Sequence, residues 1–110
     1  MKITTWNVNS VNARIEHLIK FIKKDQSDIY LIQELKCTNE SFPKEELENI
    51  NYKCYVNGQK AWNGVAILSK ESIEISNLNI PDYKDANSRF IETEISLKNI
   101  KNKIKLINIY

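Results

Sequence analysis

Apolar residues along this chain first recur at helical spacing and later in short β-rich runs. Lys2 to Trp6 is a brief β-rich stretch. Ile15, Leu18, Ile19 and Ile22 then share one helical face, with Lys20, Lys23 and Lys24 on the other side. Asn12 is a plausible cap for that helix. Ser27-Asp28 breaks the pattern, and Ile29 to Ile32 is a compact apolar run suited to a buried strand. A second helix is expected over Pro43 to Asn49, with Pro43 in its first turn and Glu45 and Glu46 near its positive end.

From Tyr52 the texture becomes β. Tyr52–Val56, Gly64–Ser69, Ile73–Leu78, Phe90–Leu97 and Ile104–Ile109 read as strands. Asn57-Gly58 and the stretch Lys98 to Asn102 read as turns, and Pro81 to Asn87 as a loop. The expected fold class is α/β: a mixed β-sheet with helices on one face.

A strand, a crossover helix and a parallel strand form a right-handed unit in nearly all cases. The C-terminal ends of the two strands then share one sheet edge, where open α/β sheets bind ligands. Asn7 and Glu34 fall at those ends. An amide carbonyl and a carboxylate are hard oxygen donors, and Mg²⁺ is commonly held by one or two carboxylates plus waters and phosphate oxygens. The bland reading of the pair is a turn asparagine and a solvated glutamate.

Composition adds limits. Hydrophobic residues make up 42% and charged residues 27%, as in an ordinary globular domain. No apolar run approaches the roughly 20 residues of a membrane span, and the first residues lack signal-peptide features, so a cytoplasmic location is the default expectation. Cys37 and Cys54 fit no metal-binding spacing and are expected as free thiols. A net charge of +2 permits nucleic-acid binding without establishing it, since Arg14 and Arg89 are the only arginines.

The chain resembles the exonuclease III family of abasic-site endonucleases, within the endonuclease/exonuclease/phosphatase superfamily. The resemblance is carried by Trp6-Asn7-Val8-Asn9, Gln33-Glu34-Leu35-Lys36, Gly58-Gln59-Lys60 with Gly64 to Lys70, Arg89-Phe90-Ile91-Glu92, and Asn108-Ile109-Tyr110, in that order. It implies a DNA-repair nuclease using Mg²⁺ or Mn²⁺, cleaving 5′ to abasic sites in double-stranded DNA and removing nucleotides from 3′ ends. By the same resemblance Glu34 is the main metal ligand, with Asn7 and Asn9 beside it. Tyr110 contacts the reacting phosphate, Lys36 supports the glutamate and phosphate region, Trp62 enters a DNA groove, and Arg89 meets the DNA backbone.

Each role has a structural rival. Trp6 reads as core, His17 as a surface residue, Lys36 as a solvated lysine, and Tyr110 as a strand residue. Two positions depart from the family pattern: Asn12, where relatives often have a basic residue, and Ser10, where many have glycine.

The resemblance also implies elements not found here: a Gly-Asp-x-Asn segment, a further Asp, and a late Ser-Asp-His. The expectation is therefore an incomplete, N-terminal segment of such a domain spanning residues 1–110, the first half of a four-layer α/β sandwich, inactive alone. An exposed apolar sheet face would promote self-association or pairing with a complementary C-terminal half. Two other readings stand beside it: a non-enzymatic half-domain, and a superfamily phosphoesterase acting on a small or lipid substrate.

Overall fold

The computed structural model describes residues 1–96 and 101–110. The elements run β1 (Ile3–Asn7), α1 (Ile15–Asp25), β2 (Ile29–Gln33), α2 (Lys44–Glu48), β3 (Lys53–Asn57), β4 (Val65–Ser69), β5 (Glu74–Asn77), β6 (Phe90–Ile95) and β7 (Ile104–Ile109). Leu97, the last residue of one expected strand, and residues 98–100 of the expected turn lie outside the described residues.

The strands form two sheets rather than one. The first has the order β1-β2-β4-β3, with β1 and β2 parallel and the other pairs antiparallel. The second is the antiparallel ladder β5-β6-β7. The difference from a single sheet has a periodic cause. Along β2 and β4 nearly every residue is buried, so both faces of the first sheet need cover. One face, with Tyr30, Ile32, Ala66 and Leu68, packs on Leu18 and Ile22 of α1 and Leu47 of α2. The other, with Ile29, Leu31, Val65 and Ile67, packs on Ile91 and Ile95 of the second sheet. The helices therefore lie on one face of the mixed sheet, and the sandwich opposite is begun within this chain.

The start of α1 differs from expectation. Arg14 occupies its cap position without a side-chain capping bond. Asn12 is not the cap: its Nδ2 donates to the Ser41 carbonyl at 3.1 Å and ties two loops together. At the far end Gln26 adopts φ 53° and its N–H bonds the Ile22 carbonyl, closing the helix before the Ser27-Asp28 break. Pro43 and Asn49 flank α2 rather than belonging to it.

Cover is unequal across the first sheet. The second sheet lies over β2 and β4, which leaves β1 at the rim with Ile3 exposed. Among the described residues β7 pairs only with β6. Ile104, Ile107 and Ile109 on it are all exposed. No helix among the described residues is long and apolar enough to cross a membrane.

Candidate active site

The parallel β1–β2 pair aligns Asn7 with Gln33, so Asn7 and the following Glu34 stand at the same sheet edge. Past the strand ends the ladder continues loosely: Val8 N–H bonds the Gln33 carbonyl at 3.0 Å and Ser10 N–H bonds the Glu34 carbonyl at 2.9 Å. On the other side Leu35 and Lys36 N–H groups bond the carbonyls of Gly64 and Asn63. The Glu34 segment is thus clasped by backbone on both flanks.

That clasp forces unusual backbone. Asn9, Ser10, Glu34, Lys36, Ala61 and Asn63 all have positive φ, between 45° and 82°. Three further non-glycine residues share this conformation elsewhere. The left-handed region costs an ordinary residue roughly 1–2 kcal/mol, and such residues concentrate at ligand sites held by the surrounding structure. Ser10, at φ 82°, occupies a conformation that suits glycine. Gly64, at φ 91°, lets the β4 backbone close on Leu35, whose Cβ would stand 2.9 Å from an added Cβ.

Side chains converge on this edge. Tyr110 Oη donates to Glu34 Oε1 at 2.8 Å. That bond, together with some burial and the negative charge of Glu34, raises the Tyr110 pKa above the usual tyrosine value. The Arg89 guanidinium lies 5.4 Å from the Tyr110 ring centre and donates to the Tyr110 carbonyl at 3.2 Å. Lys36 Nζ donates to Asn9 Oδ1 at 2.7 Å. Asn7 Oδ1 accepts from the Asn9 N–H at 3.1 Å. Two linked groups result: Lys36, Asn9 and Asn7 on the β1 side, and Arg89, Tyr110 and Glu34 on the β7 side.

Trp62 occupies the β3–β4 connection at the same edge and is 70% exposed. Its loop is braced by amides: Gln59 Oε1 accepts from Asn63 Nδ2 at 3.0 Å and from Ser88 N–H at 2.9 Å. Trp6 is half-buried against the helical core, edge-on to Phe21 at 5.5 Å between ring centres. His17 is exposed. All seven residues singled out for chemistry or DNA contact, namely Asn7, Asn9, Glu34, Lys36, Trp62, Arg89 and Tyr110, therefore occupy one edge. The sequence offered a role to neither Gln33 nor Asn108, whose side chains bond each other at 2.8 Å beneath the site. The available signal for Asn108 was a lone amide in a strand otherwise apolar but for Lys105.

The donor chemistry suits a hard cation, but sparsely. Glu34 supplies a carboxylate and Asn7 and Asn9 supply amide oxygens, whereas no group of three or more His, Cys, Asp or Glu converges anywhere among the described residues.

Residues 4–106 match the model of the endonuclease/exonuclease/phosphatase family. The chain belongs to that family. It is 37% identical over 107 residues to exodeoxyribonuclease III of Haemophilus influenzae, covering 93% of this chain and 40% of that protein. It superposes on a Neisseria 3′ phosphatase, NExo, bound to a product DNA hairpin, with a TM-score of 0.87, 35% identity, and coverage of 100% of this chain and 41% of that one. An AP endonuclease from Archaeoglobus fulgidus matches with a TM-score of 0.80 and 35% identity over 87% of this chain and 37% of its own. The chain thus spans about two fifths of the length of these relatives.

Proposed function

We propose that these residues form the first segment of a DNA-repair nuclease domain that hydrolyses phosphodiesters 5′ to abasic sites and at 3′ ends. The observation that carries the reading is Glu34, held in left-handed backbone at a parallel sheet edge with Tyr110 bonded to its carboxylate. The named relatives support it: an exodeoxyribonuclease, a phosphatase bound to a DNA hairpin, and an AP endonuclease.

Glu34, with Asn7 and Asn9 beside it, would hold Mg²⁺ or Mn²⁺. A divalent cation there supplies positive charge against phosphate oxygens. The Tyr110 hydroxyl, already a donor, points its proton into the same space and can pass that bond to a phosphate oxygen. Lys36 and Arg89 add cationic charge on either side of Glu34, suited to the DNA backbone. Trp62, exposed at the same edge, is of a type that stacks on a base or wedges between base steps. A cytoplasmic setting agrees with Cys37 and Cys54 as free thiols.

One carboxylate at the edge does not suffice to activate water and stabilise a leaving group, so the 110-residue chain is inactive alone. Its partner is a chain or segment carrying the remaining family elements, seated against the exposed β1 rim and β7. Incubation with an abasic-site duplex and Mg²⁺ tests this. No incision is expected from the chain alone. Incision is expected once the remainder of a relative such as the Haemophilus enzyme is added, and not with Glu34→Gln. Robust incision by the chain alone that disappears in Glu34→Gln would overturn the incomplete-site reading. Incision by the reconstituted domain that is indifferent to Glu34→Gln would overturn the assignment of Glu34.

A further inference from the structure

We infer that Asn108 is a positioning residue that fixes the Tyr110 hydroxyl on Glu34 by clamping the end of β7 to β2 and β4. The inference deepens the proposed active site and rests on the reading that Glu34 and Tyr110 act together.

Asn108 is 1% exposed and its carboxamide bridges the two sheets. Nδ2 donates to the Ile32 carbonyl of β2 at 3.0 Å and to the Ala66 carbonyl of β4 at 2.8 Å. Oδ1 accepts from Gln33 Nε2 at 2.8 Å. Gln33 in turn donates to Thr5 Oγ1 of β1 at 2.8 Å. One amide in β7 is thereby connected to three strands of the opposite sheet. Gln33 immediately precedes Glu34, and Asn108 lies two residues before Tyr110, so the clamp grips both residues of the Tyr110–Glu34 pair close to their backbones.

Among the described residues, apolar packing holds this end of β7 itself only weakly over the first sheet. Ile107 and Ile109, flanking Asn108 in sequence, point to the opposite face and are exposed. Leu106 is the nearest apolar residue on the inner face, and it is only half-buried. Pairing with β6 fixes β7 within its own sheet, and β6 is tied to the first sheet at this end by Asn57 Nδ2 donating to the Phe90 carbonyl at 3.0 Å and Gly64 N–H donating to the Ser88 carbonyl at 2.8 Å. Asn108 adds the direct bonds from β7 itself to the backbone of β2 and β4. A hydrogen bond is directional where apolar contact is not, so the amide fixes where the end of β7 sits over β2 and β4. A buried amide also demands its partners, because a polar group left unpaired there is costly.

The experiment uses the chain labelled with ¹³C at tyrosine Cζ, dilute enough to be monomeric by light scattering, observed by NMR at fixed neutral pH. Tyr110→Phe assigns the Tyr110 signal among the five tyrosines. Glu34→Ala gives its position without the acceptor. Asn108→Leu, similar in size and unable to hydrogen-bond, is expected to move the Tyr110 signal through the greater part of the Glu34→Ala displacement. The signals of Tyr30, Tyr52, Tyr55 and Tyr83 should stay in place. Gln33→Met removes one bond of the clamp and is expected to produce a smaller shift of the same sign. A Tyr110 signal at its wild-type position in folded Asn108→Leu overturns the inference. If Asn108→Leu does not fold, an unmoved signal in Gln33→Met overturns it. Movement of all five signals, loss of folding in both variants, or indifference of Tyr110 to Glu34→Ala also overturns it by reducing Asn108 to a structural role. The readout is the geometry of the Tyr110 hydroxyl without metal or DNA, so its failure leaves the nuclease reading to be judged by incision alone.

Discussion

Tyr110 Oη and Glu34 Oε1, 76 positions apart in the chain, are joined by a 2.8 Å hydrogen bond. The bond spans the two sheets and is made at an exposed edge, so its stabilising effect is small, while its position over the candidate phosphate site is specific. Tyr110→Phe in a reconstituted domain is therefore expected to leave the melting temperature nearly unchanged. Loss of a donor aimed at developing charge should lower kcat by about 10²–10³-fold. Steady-state kinetics beside a thermal melt checks this, and a large fall in stability with unchanged kcat would contradict it.

Metal affinity should be low. Glu34 is one carboxylate, and Asn7 Oδ1 and Asn9 Oδ1 already accept hydrogen bonds within the protein. A Mg²⁺ site of this kind keeps most of its waters and binds on the order of millimolar in the isolated chain. Calorimetry should show weak binding that Glu34→Ala abolishes. Submicromolar affinity would mean that additional ligands reach the edge.

The two glycines differ from one another in what confines them. Gly64 carries φ 91° and faces Leu35, whereas an added Cβ at Gly58 would meet backbone, 2.6 Å from the Cys37 carbonyl oxygen. Backbone cannot swing aside as a side chain can. Gly64→Ala should cost about 1–3 kcal/mol from strain and crowding, and Gly58→Ala at least as much. A 1 kcal/mol loss lowers the melting temperature of a domain this size by roughly 4–8 °C. Gly64→Ala should also disturb the Glu34 segment, seen as changed amide signals at Glu34 and Lys36, because Leu35 lies between them.

Periodicity made the helices and most strands legible, and the strand ends made Asn7 and Glu34 legible as a pair. It did not reveal that, of the β-rich part from Tyr52, β3 and β4 join the first sheet while β5, β6 and β7 build a separate one. Alternation along Phe90 to Ile95 reports that one face is buried, and the same alternation serves whether the cover is helix or sheet. Asn12 misled because an asparagine before a helix suits a cap, whereas here a neighbouring loop offers the Ser41 carbonyl. Asn108 was illegible as a clamp because its partners are backbone carbonyls in distant strands, which no local pattern encodes.

At the opposite end of the sandwich, Asp25 accepts from Lys2 Nζ at 2.5 Å, Ser27 Oγ at 2.5 Å and Tyr30 Oη at 2.7 Å. The hydrogen bond from Lys2 comes first in holding its pKa far below the usual carboxylate value, followed by those from Ser27 and Tyr30. With the folded pKa depressed, the stabilisation is fully present above the unfolded value of about 3.9 and is lost as pH falls through the folded value. Asp25→Asn should therefore lower the melting temperature at pH 7 and flatten its decline below about pH 4. Parallel acid-side curves for the two proteins would remove Asp25 from the explanation.

The exposed apolar residues of the β1 rim and β7 set the behaviour of the chain in isolation. Ile107 and Ile109 lie on the outer face of the second sheet, and Ile109 is 54% exposed. Ile3 lies uncovered at the rim of the first sheet. Beside them, β7 offers a six-residue edge with one lysine, Lys105, to discourage another strand. Burial of such surface is worth roughly 25 cal/mol per Å², and an open hydrophobic edge adds backbone bonding to that gain. The isolated chain is expected to self-associate or aggregate, with light scattering showing a mass above that of the monomer. Ile107→Lys with Ile109→Lys should shift it towards monomer and, in the same step, weaken pairing with a complementary family segment, because both uses require the same face. A stable, monodisperse wild-type monomer with a cooperative melt would show that the rim and edge tolerate water, and that neither self-pairing nor a partner is needed to complete the fold.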